Sequence, residues 1–542
     1  MRTVVTGVAN SPLHPFRYRP FAVLWAATVV ADIGAWMYSA AAAWLMASLD
    51  PDPLMVSLVQ VAATLPVFLF ALPAGALADI VDKRRLLIGV EVFITVASTA
   101  VAVLVWRDLI SPINLLLFTF LIEAGTATAA PWQSIVPQLV PRDDLTHAVA
   151  LNGIGVNISR ALGPALGGVI IAGFGIVAPF FVNAVSNLGT IGALWWWRPA
   201  RERESLLPVE RFGSAMRAGV RHARHNASLV ATLARAGGFF LFASCYWALL
   251  PLVSRNQIAG GAALYGMLLG AIGAGAIAGA TALPWLRTRL GPNRLVAAGS
   301  LGTSLALLLF GAARDVTTGL AASLIAGACW IAVLSSLNVS AQLALPAWVR
   351  GRGLAVYVMV FFGVMTLGSA IWGAVARFAG VPMTLFIAAA GALLAVPLTR
   401  RWKLQSSVDT DLTPSMHWPA PVASTQPNSD AGPVLVTVEY RISVEQREAF
   451  LAALERLSDE RGRDGAYRWG VFEDIAEPGR FIETFLVESW LEHLRQHERV
   501  TNADRVLEEQ VYRFARGIPK VTHLAASRRA PKTNRHHRWR FG

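Results

Sequence analysis

The chain has 542 residues, 55% hydrophobic and 15% charged, with a mean hydropathy of +0.50. Soluble globular chains carry about 25% charged residues, so this composition excludes a disordered protein, a coiled coil and an ordinary soluble enzyme. The net charge of +13 is unevenly placed: residues 1–403 hold 28 Lys+Arg against 14 Asp+Glu, and residues 404–542 hold 19 against 20. The surplus arginine lies between apolar stretches, which is a pattern of membrane topology and not of a nucleic-acid partner. Cys245 and Cys329 fall inside apolar stretches and give neither a disulfide framework nor a metal spacing.

Apolar stretches of about 20 residues, enough to cross a bilayer, recur at 21–47, 54–78, 86–106, 113–135, 148–172, 175–197, 229–252, 261–286, 294–313, 317–341, 352–376 and 381–399. The first is too long and too weakly flanked for a cleaved signal peptide. Loops on one side carry Arg17 and Arg19, Lys83 to Arg85, Arg142, Arg198 to Arg224, Arg287 to Arg294, Arg350 and Arg352, and Arg400 to Lys403. The opposite loops carry only Arg107, Arg255, Arg314 and Arg377. Basic loops stay cytoplasmic, so both termini are expected inside a bacterial inner (plasma) membrane.

Pro141, Ala150, Gly163 and Gly168 recur 205 residues later as Pro346, Ala355, Gly368 and Gly373. The expected fold is therefore an all-α membrane protein of twelve transmembrane helices in two six-helix repeats, 1–197 and 229–403, joined by a basic cytoplasmic linker at 198–228. Residues 404–432 are rich in Pro, Ser, Thr and Asp and read as a flexible linker. Residues 433–525 then alternate as strand Leu435–Ile442, helix Val444–Ser458, strands Tyr467–Asp474 and Arg480–Val487, helices Ser489–Gln496 and Asn502–Phe514, and strand Lys520–Leu524. That order suggests an α+β ferredoxin-like cytoplasmic domain. Residues 526–542 read as a basic disordered tail.

The loop after the second stretch reads Gly75-Ala76-Leu77-Ala78-Asp79-Ile80-Val81-Asp82-Lys83-Arg84-Arg85. It resembles the signature of the major facilitator superfamily, with Asp82 where glycine is usual. An acid that meets a helix N-terminus and an arginine makes an ion-pair latch, so Gly75, Asp79, Lys83, Arg84 and Arg85 are the expected latch; a cluster serving topology alone is the plainer alternative. In the fifth stretch, Asn157, Arg160, Gly163, Pro164, Gly167 and Gly168 look like the Gly-Pro motif of antiporters in that superfamily. Small residues allow close helix approach and proline kinks. The second copy, Gly368 to Gly373, lacks the proline.

Pro131-Trp132-Gln133, Val140-Pro141-Arg142, Ala150-Leu151-Asn152, Pro346 with Val349-Arg350-Gly351-Arg352, and Trp490 through His497 are similar to the enterobactin-exporter-like branch, whose long members are called transmembrane secretion effectors. This resemblance spans nearly all of 15–525. It implies a secondary active transporter, not an enzyme, that exports a small molecule (a siderophore, drug or secondary metabolite) by proton exchange, with the first and fourth helices lining a cavity. Arg350 and Arg352 form the basic loop of the second half. The tail resembles an antibiotic-biosynthesis-monooxygenase-like dimeric barrel, which makes it a candidate dimerisation or regulatory module. The alternatives are a cofactor-free monooxygenase linked to the membrane, and an importer regulated by the tail.

Charges at mid-membrane depth are expensive and are functional-site hypotheses by default. Asp32, Glu123 and Arg160 lie 10 to 12 residues into their stretches, so Asp32 and Glu123 are the expected proton carriers, with a Glu123–Arg160 pair as switch or as static tie. Glu91 is expected to pair with the cytoplasmic basic cluster, and Arg235 to snorkel. Trp36, Tyr38, Trp44, Trp247 and Trp330 are read chiefly as packing or interfacial aromatics. His493 and His497 stand at metal-binding spacing, but no third ligand adjoins them in sequence, so neither metal nor cofactor is expected. No Gly-x4-Gly-Lys-Ser/Thr pattern occurs, which argues against ATP drive. The expected partners are a small-molecule substrate, protons and the lipid bilayer, with no nucleic acid.

Overall fold

In the computed structural model of the chain, residues 13–80, 82–128, 132–198, 221–346, 348–405 and 432–526 are described, with Thr413, Ser415 and Trp418 between them. Side chains at Gly75, Asp79 and several neighbouring positions lie outside that description. So do the segment 199–220, most of the linker 404–432 and the chain from 527 onward.

The hydrophobic unit is helical. Its elements are α1 (Arg19–Leu49), α2 (Pro53–Ile80), α3 (Lys83–Trp106), α4 (Pro112–Thr128), α5 (Trp132–Leu139), α6 (Leu145–Phe174) and α7 (Ala178–Trp196). After the linker come α8 (Ala227–Leu252), a π-helical turn at Val253–Gln257, α9 (Ala262–Ala312), α10 (Val316–Leu343), α11 (Arg350–Ala379) and α12 (Val381–Thr399). Among the described residues, nine helices are long and apolar enough to cross a membrane by length and composition. Only helices and closed barrels satisfy every backbone polar group inside a bilayer, and among the described residues the apolar runs are built of helices.

The helix ends follow from local chemistry. Proline cannot continue a helix without losing a hydrogen bond, and α1 stops at Asp50-Pro51-Asp52-Pro53. Asp52 then starts α2 by accepting from the Leu54 N–H at 3.0 Å. Asp82 caps α3 by accepting from the Arg85 N–H at 2.8 Å. The loop expected between residues 287 and 293 is absent from α9: the helix runs on until Gly291, at φ 68°, turns it within one residue. Only glycine adopts that conformation without strain.

Packing gathers α1 against α6 and α7, α2 against α4, α3 against α7, α6 against α9, and α9 against α12. At one end of the first half, Phe21, Leu24, Leu87, Ile135, Val136, Leu139 and Leu194 form a buried cluster joining α1, α3, α5 and α7. Asp144 is buried beside it and accepts from Tyr18 Oη at 2.8 Å and pairs with His14 Nδ1 at 2.9 Å.

A second compact unit holds residues 221–230, 340–356 and 432–526. Its strands are β1 (Val434–Arg441), β2 (Tyr467–Glu473), β3 (Arg480–Val487) and β4 (Lys520–Ala525). Its helices are α13 (Arg447–Arg463), α14 (Trp490–Arg499) and α15 (Asn502–Tyr512). The sheet is antiparallel in the order β2-β3-β1-β4, with Val434 opposite both Val487 and Ala525. Val434, Val436, Val438 and Tyr440 alternate inward along β1, as a half-buried strand requires, and pack with Phe450, Leu454, Phe481 and Phe485. The segment before α8 belongs to this unit: Arg221 Nη2 stands 3.9 Å from Glu492 Oε1, and the His222 ring lies edge-on to Trp348.

Candidate functional site

Four helices of the first half, α1, α3, α4 and α6, carry polar or charged groups within apolar spans. On α1, Tyr38 is buried and its hydroxyl meets Thr119 Oγ1 of α4 at 3.3 Å. Glu123 lies one turn beyond Thr119, close enough to act electrostatically on Tyr38. Among the described residues no ion pair joins Glu91 of α3 to Arg84 or Arg85.

Arg160 does not pair with Glu123 in this conformation. Its guanidinium sits over the Trp36 ring, 5.3 Å from the centroid, and its buried Nε has no hydrogen-bond partner among the described residues. The glycine one turn later makes this possible. A Cβ at Gly163 would stand 2.5 Å from Trp36 Cβ and 2.8 Å from the Ile33 carbonyl oxygen, so α6 reaches α1 only because the side chain is missing. Pro164 offers no N–H, which releases the Arg160 carbonyl from the helix ladder. Asn157 bonds its own helix, donating to the Gly153 oxygen at 2.8 Å.

The second half contributes an aromatic cluster. Phe240 of α8 meets Phe361 of α11 at 4.5 Å and Trp330 of α10 at 5.2 Å, and Trp330 meets Trp247 of α8 at 5.4 Å. The indole N–H groups of Trp247 and Trp330 are buried without a partner among the described residues, whereas buried indole donors usually find one. Sequence reasoning took these tryptophans mainly as packing. No periodic signal marks two idle donors, because they arise from two separate helices.

The two halves meet at one end. Arg377 Nε stands 3.4 Å from Asp52 Oδ2, Arg255 donates to the Ala47 carbonyl, and Trp44 stacks on Tyr265 at 5.8 Å. A Cβ at Gly168 would lie 2.4 Å from Gly266 Cα, and one at Gly373 would overlap Ser57. Deeper in, Thr64 and Thr366 share a hydrogen bond of 2.8 Å between α2 and α11.

At the opposite end, Arg84 donates from Nε to the Leu194 carbonyl at 2.8 Å and from Nη2 to the Trp195 carbonyl at 2.6 Å. A cation here satisfies the open carbonyls of a helix C-terminus. Gly75 and Asp79, the other halves of the expected latch, lie outside the described side chains. Arg350 donates to the Leu345 carbonyl at 3.4 Å and Arg352 is half-buried. Arg235 donates to the Trp402 carbonyl at 2.7 Å, a structural tie between α8 and the end of α12.

The tail unit holds buried charge of its own. Arg461 lies 2.7 Å from Glu508 and 3.4 Å from Glu483. Glu483 also accepts from Tyr440 Oη and Trp469 Nε1. Burial opposes the Arg461 charge, but Glu508 and Glu483 more than offset it and hold the guanidinium above its ordinary range. On the neighbouring helix, His493 and His497 are joined by a third imidazole, His523 of β4. The expectation that no third ligand adjoins them is thus corrected: β4 pairs with β1 and brings His523, opposite Val436, beneath α14.

Comparison with known proteins gives the frame for this geometry. Residues 10–530 match the family described as transmembrane secretion effector. The chain is 28% identical over 156 residues to the Staphyloferrin A transporter of Staphylococcus aureus (strain NCTC 8325 / PS 47), covering 28% of this chain and 39% of that one. It is 30% identical over 210 residues to the Enterobactin exporter EntS of Escherichia coli O1:K1 / APEC, covering 37% and 47%. The matched region is thus less than two thirds of either relative's length. Among solved structures, a bacterial homologue of the human lysosomal transporter Spinster, inward-facing and unoccupied, superposes with a TM-score of 0.56 at 14% identity, covering 72% of this chain and 98% of that one. The superposition shows a shared multi-helix fold, and the long apolar helices have the length and composition to cross a membrane.

Proposed function

From the membership of this chain in the transmembrane secretion effector family, we propose that it is a secondary active exporter of a small molecule, driven by proton entry, in a bacterial inner membrane with both termini cytoplasmic. Twelve spans are supported by the nine long apolar helices, by the division of α9 at Gly291 into two spans, and by α4 and α7 as shorter members.

The observation that carries the reading is a pseudo-twofold set of contacts. Gly163 abuts α1 and Gly168 abuts α9; 205 residues on, Gly368 abuts Ser244 and Leu241 of α8, and Gly373 abuts α2. Gly175 and Gly380 end α6 and α11 in the same left-handed conformation. Two like halves that touch at one end, the end assigned to the outside by the arginine asymmetry, make an alternating-access transporter in its inward-facing state. Arg160 and the acids Asp32 and Glu123 supply charge at mid-depth in one half, and Trp247, Trp330 and Phe361 supply an aromatic surface in the other. A siderophore, drug or secondary metabolite with aromatic and anionic groups suits both.

Asp32 and Glu123 are the proposed proton carriers. One charge crossing the membrane potential releases about 2.3 kcal/mol per 100 mV, enough for accumulation outside of more than tenfold. The tail, with sheet order β2-β3-β1-β4, is read as ferredoxin-like and as regulatory or dimerising.

The substrate is to be found by comparing metabolites inside and outside cells with and without the gene. Vesicles loaded with that compound and given an imposed pH gradient then test the coupling. Asp32→Asn should abolish uphill efflux and keep downhill exchange. Efflux indifferent to collapse of the gradient, or uphill pumping by Asp32→Asn, would refute it.

A further inference from the structure

We propose that His493, His497 and His523 of the tail unit form a binding site for a divalent transition-metal ion, with Zn2+ the best match to an all-imidazole set. The three imidazoles come from two elements, α14 and β4, and their ligand nitrogens all lie within 4.8 Å of one another. His493 and His497 occupy successive turns of one helix face, and their Nε2 atoms stand 3.3 Å apart. Two nitrogens each about 2.0–2.1 Å from a tetrahedral zinc ion stand about 3.3 Å apart, so this edge of the site already has coordination geometry. The His523 ring centre lies 4.6 Å from that of His493.

The tautomer is set as well. His493 Nδ1 donates to Gln496 Oε1 at 3.2 Å, and Gln496 is itself buried at 1% exposure. That bond leaves the lone pair on Nε2, the atom turned toward His497. Metal-binding histidines are oriented by such a second hydrogen bond. Trp490 packs edge-on to His523, and Trp418 edge-on to His497, so the rings are walled by indoles.

Charge in the surroundings permits a cation. Arg461, buried in the same unit, is paired with Glu508 and Glu483 at 2.7 and 3.4 Å. Three protein ligands leave a fourth position for water or a donor group of another molecule, the arrangement of open zinc sites.

The test uses the full chain in detergent, without an affinity tag that binds metal. After stripping with a chelator and dialysis against Zn2+, wild-type protein should retain one equivalent per chain, and Co2+ should give the visible absorption of tetrahedral coordination. His497→Ala and His523→Ala should each lose the retained equivalent. Gln496→Ala should keep the stoichiometry and bind roughly 10–100-fold more weakly. His225→Ala, outside the cluster, should bind as wild type. The proposal is overturned if wild type retains no zinc, if Co2+ gives only the weak octahedral spectrum, or if His497→Ala and His523→Ala hold the ion as wild type does. The wild-type measurements decide the matter even if a variant fails to fold. Transport assays play no part, so the outcome is independent of the export reading.

Discussion

Under the proposed alternating-access reading, replacing Gly168 by alanine should disfavour the state in which α6 and α9 touch. The added Cβ would lie 2.4 Å from Gly266 Cα, while carbon atoms at rest stand about 3.5–4.0 Å apart. The partner is backbone, so no side chain can swing aside, and α6 and α9 must separate by more than about 1 Å. Overpacking of this kind costs about 1–3 kcal/mol. The cost falls only on the state in which the two halves touch at this end, so the equilibrium between states should shift by about 5–150-fold. Spin labels on cysteines at Asp108 and Val316, at the outer ends of the two halves, report the change as a longer distance. Gly173, one turn and a half further along α6, has no atom within 4 Å of its added Cβ, and Gly173→Ala is the control. An unchanged distance distribution in Gly168→Ala, or the same shift in Gly173→Ala, would refute the reasoning.

Gly163→Ala should act differently, because Trp36 and Ile33 belong to the same half: it should lower resistance to unfolding by about 1–3 kcal/mol in a denaturant titration and leave the label distance unchanged. Arg377→Gln removes an ion pair whose arginine is 56% exposed; since such pairs contribute about 0–1 kcal/mol, the state equilibrium should move by less than about fivefold, and high salt should mimic the change. Arg461→Met leaves Glu483 and Glu508 buried without their cation, a loss of roughly 3–5 kcal/mol, visible as rapid proteolysis of the tail in the full chain; wild-type resistance would show the network to be dispensable. Tyr38→Phe deletes the bond to Thr119 and should cost about 0.5–1.5 kcal/mol on thermal unfolding, with no loss indicating that the bond is not made.

The amino-acid order alone determined the membrane class and the bounds of several helices, because burial in lipid is decided residue by residue along an apolar run. The stretch read at 381–399 is helix Val381–Thr399, and that at 21–47 is Arg19–Leu49. Proline and glycine marked the ends, and the spacing of small residues marked Gly163 and Gly168 as places of close approach. The strand and helix order of the tail was legible for the same reason: alternation along β1 records one buried face.

Contacts between distant positions were decided only by the tertiary structure. Depth in the membrane placed Glu123 and Arg160 on one level, yet helix rotation set Arg160 over Trp36 and Glu123 beside Tyr38. His523 joined His493 and His497 because the register of β4 on β1 put it on the inner face, and no sequence spacing specifies which strand lies beneath a given helix. Segments 221–230 and 340–356 fell in with the tail unit although each continues an apolar helix. An apolar pattern records which face of an element is buried; the neighbour against which it is buried depends on all the other elements at once.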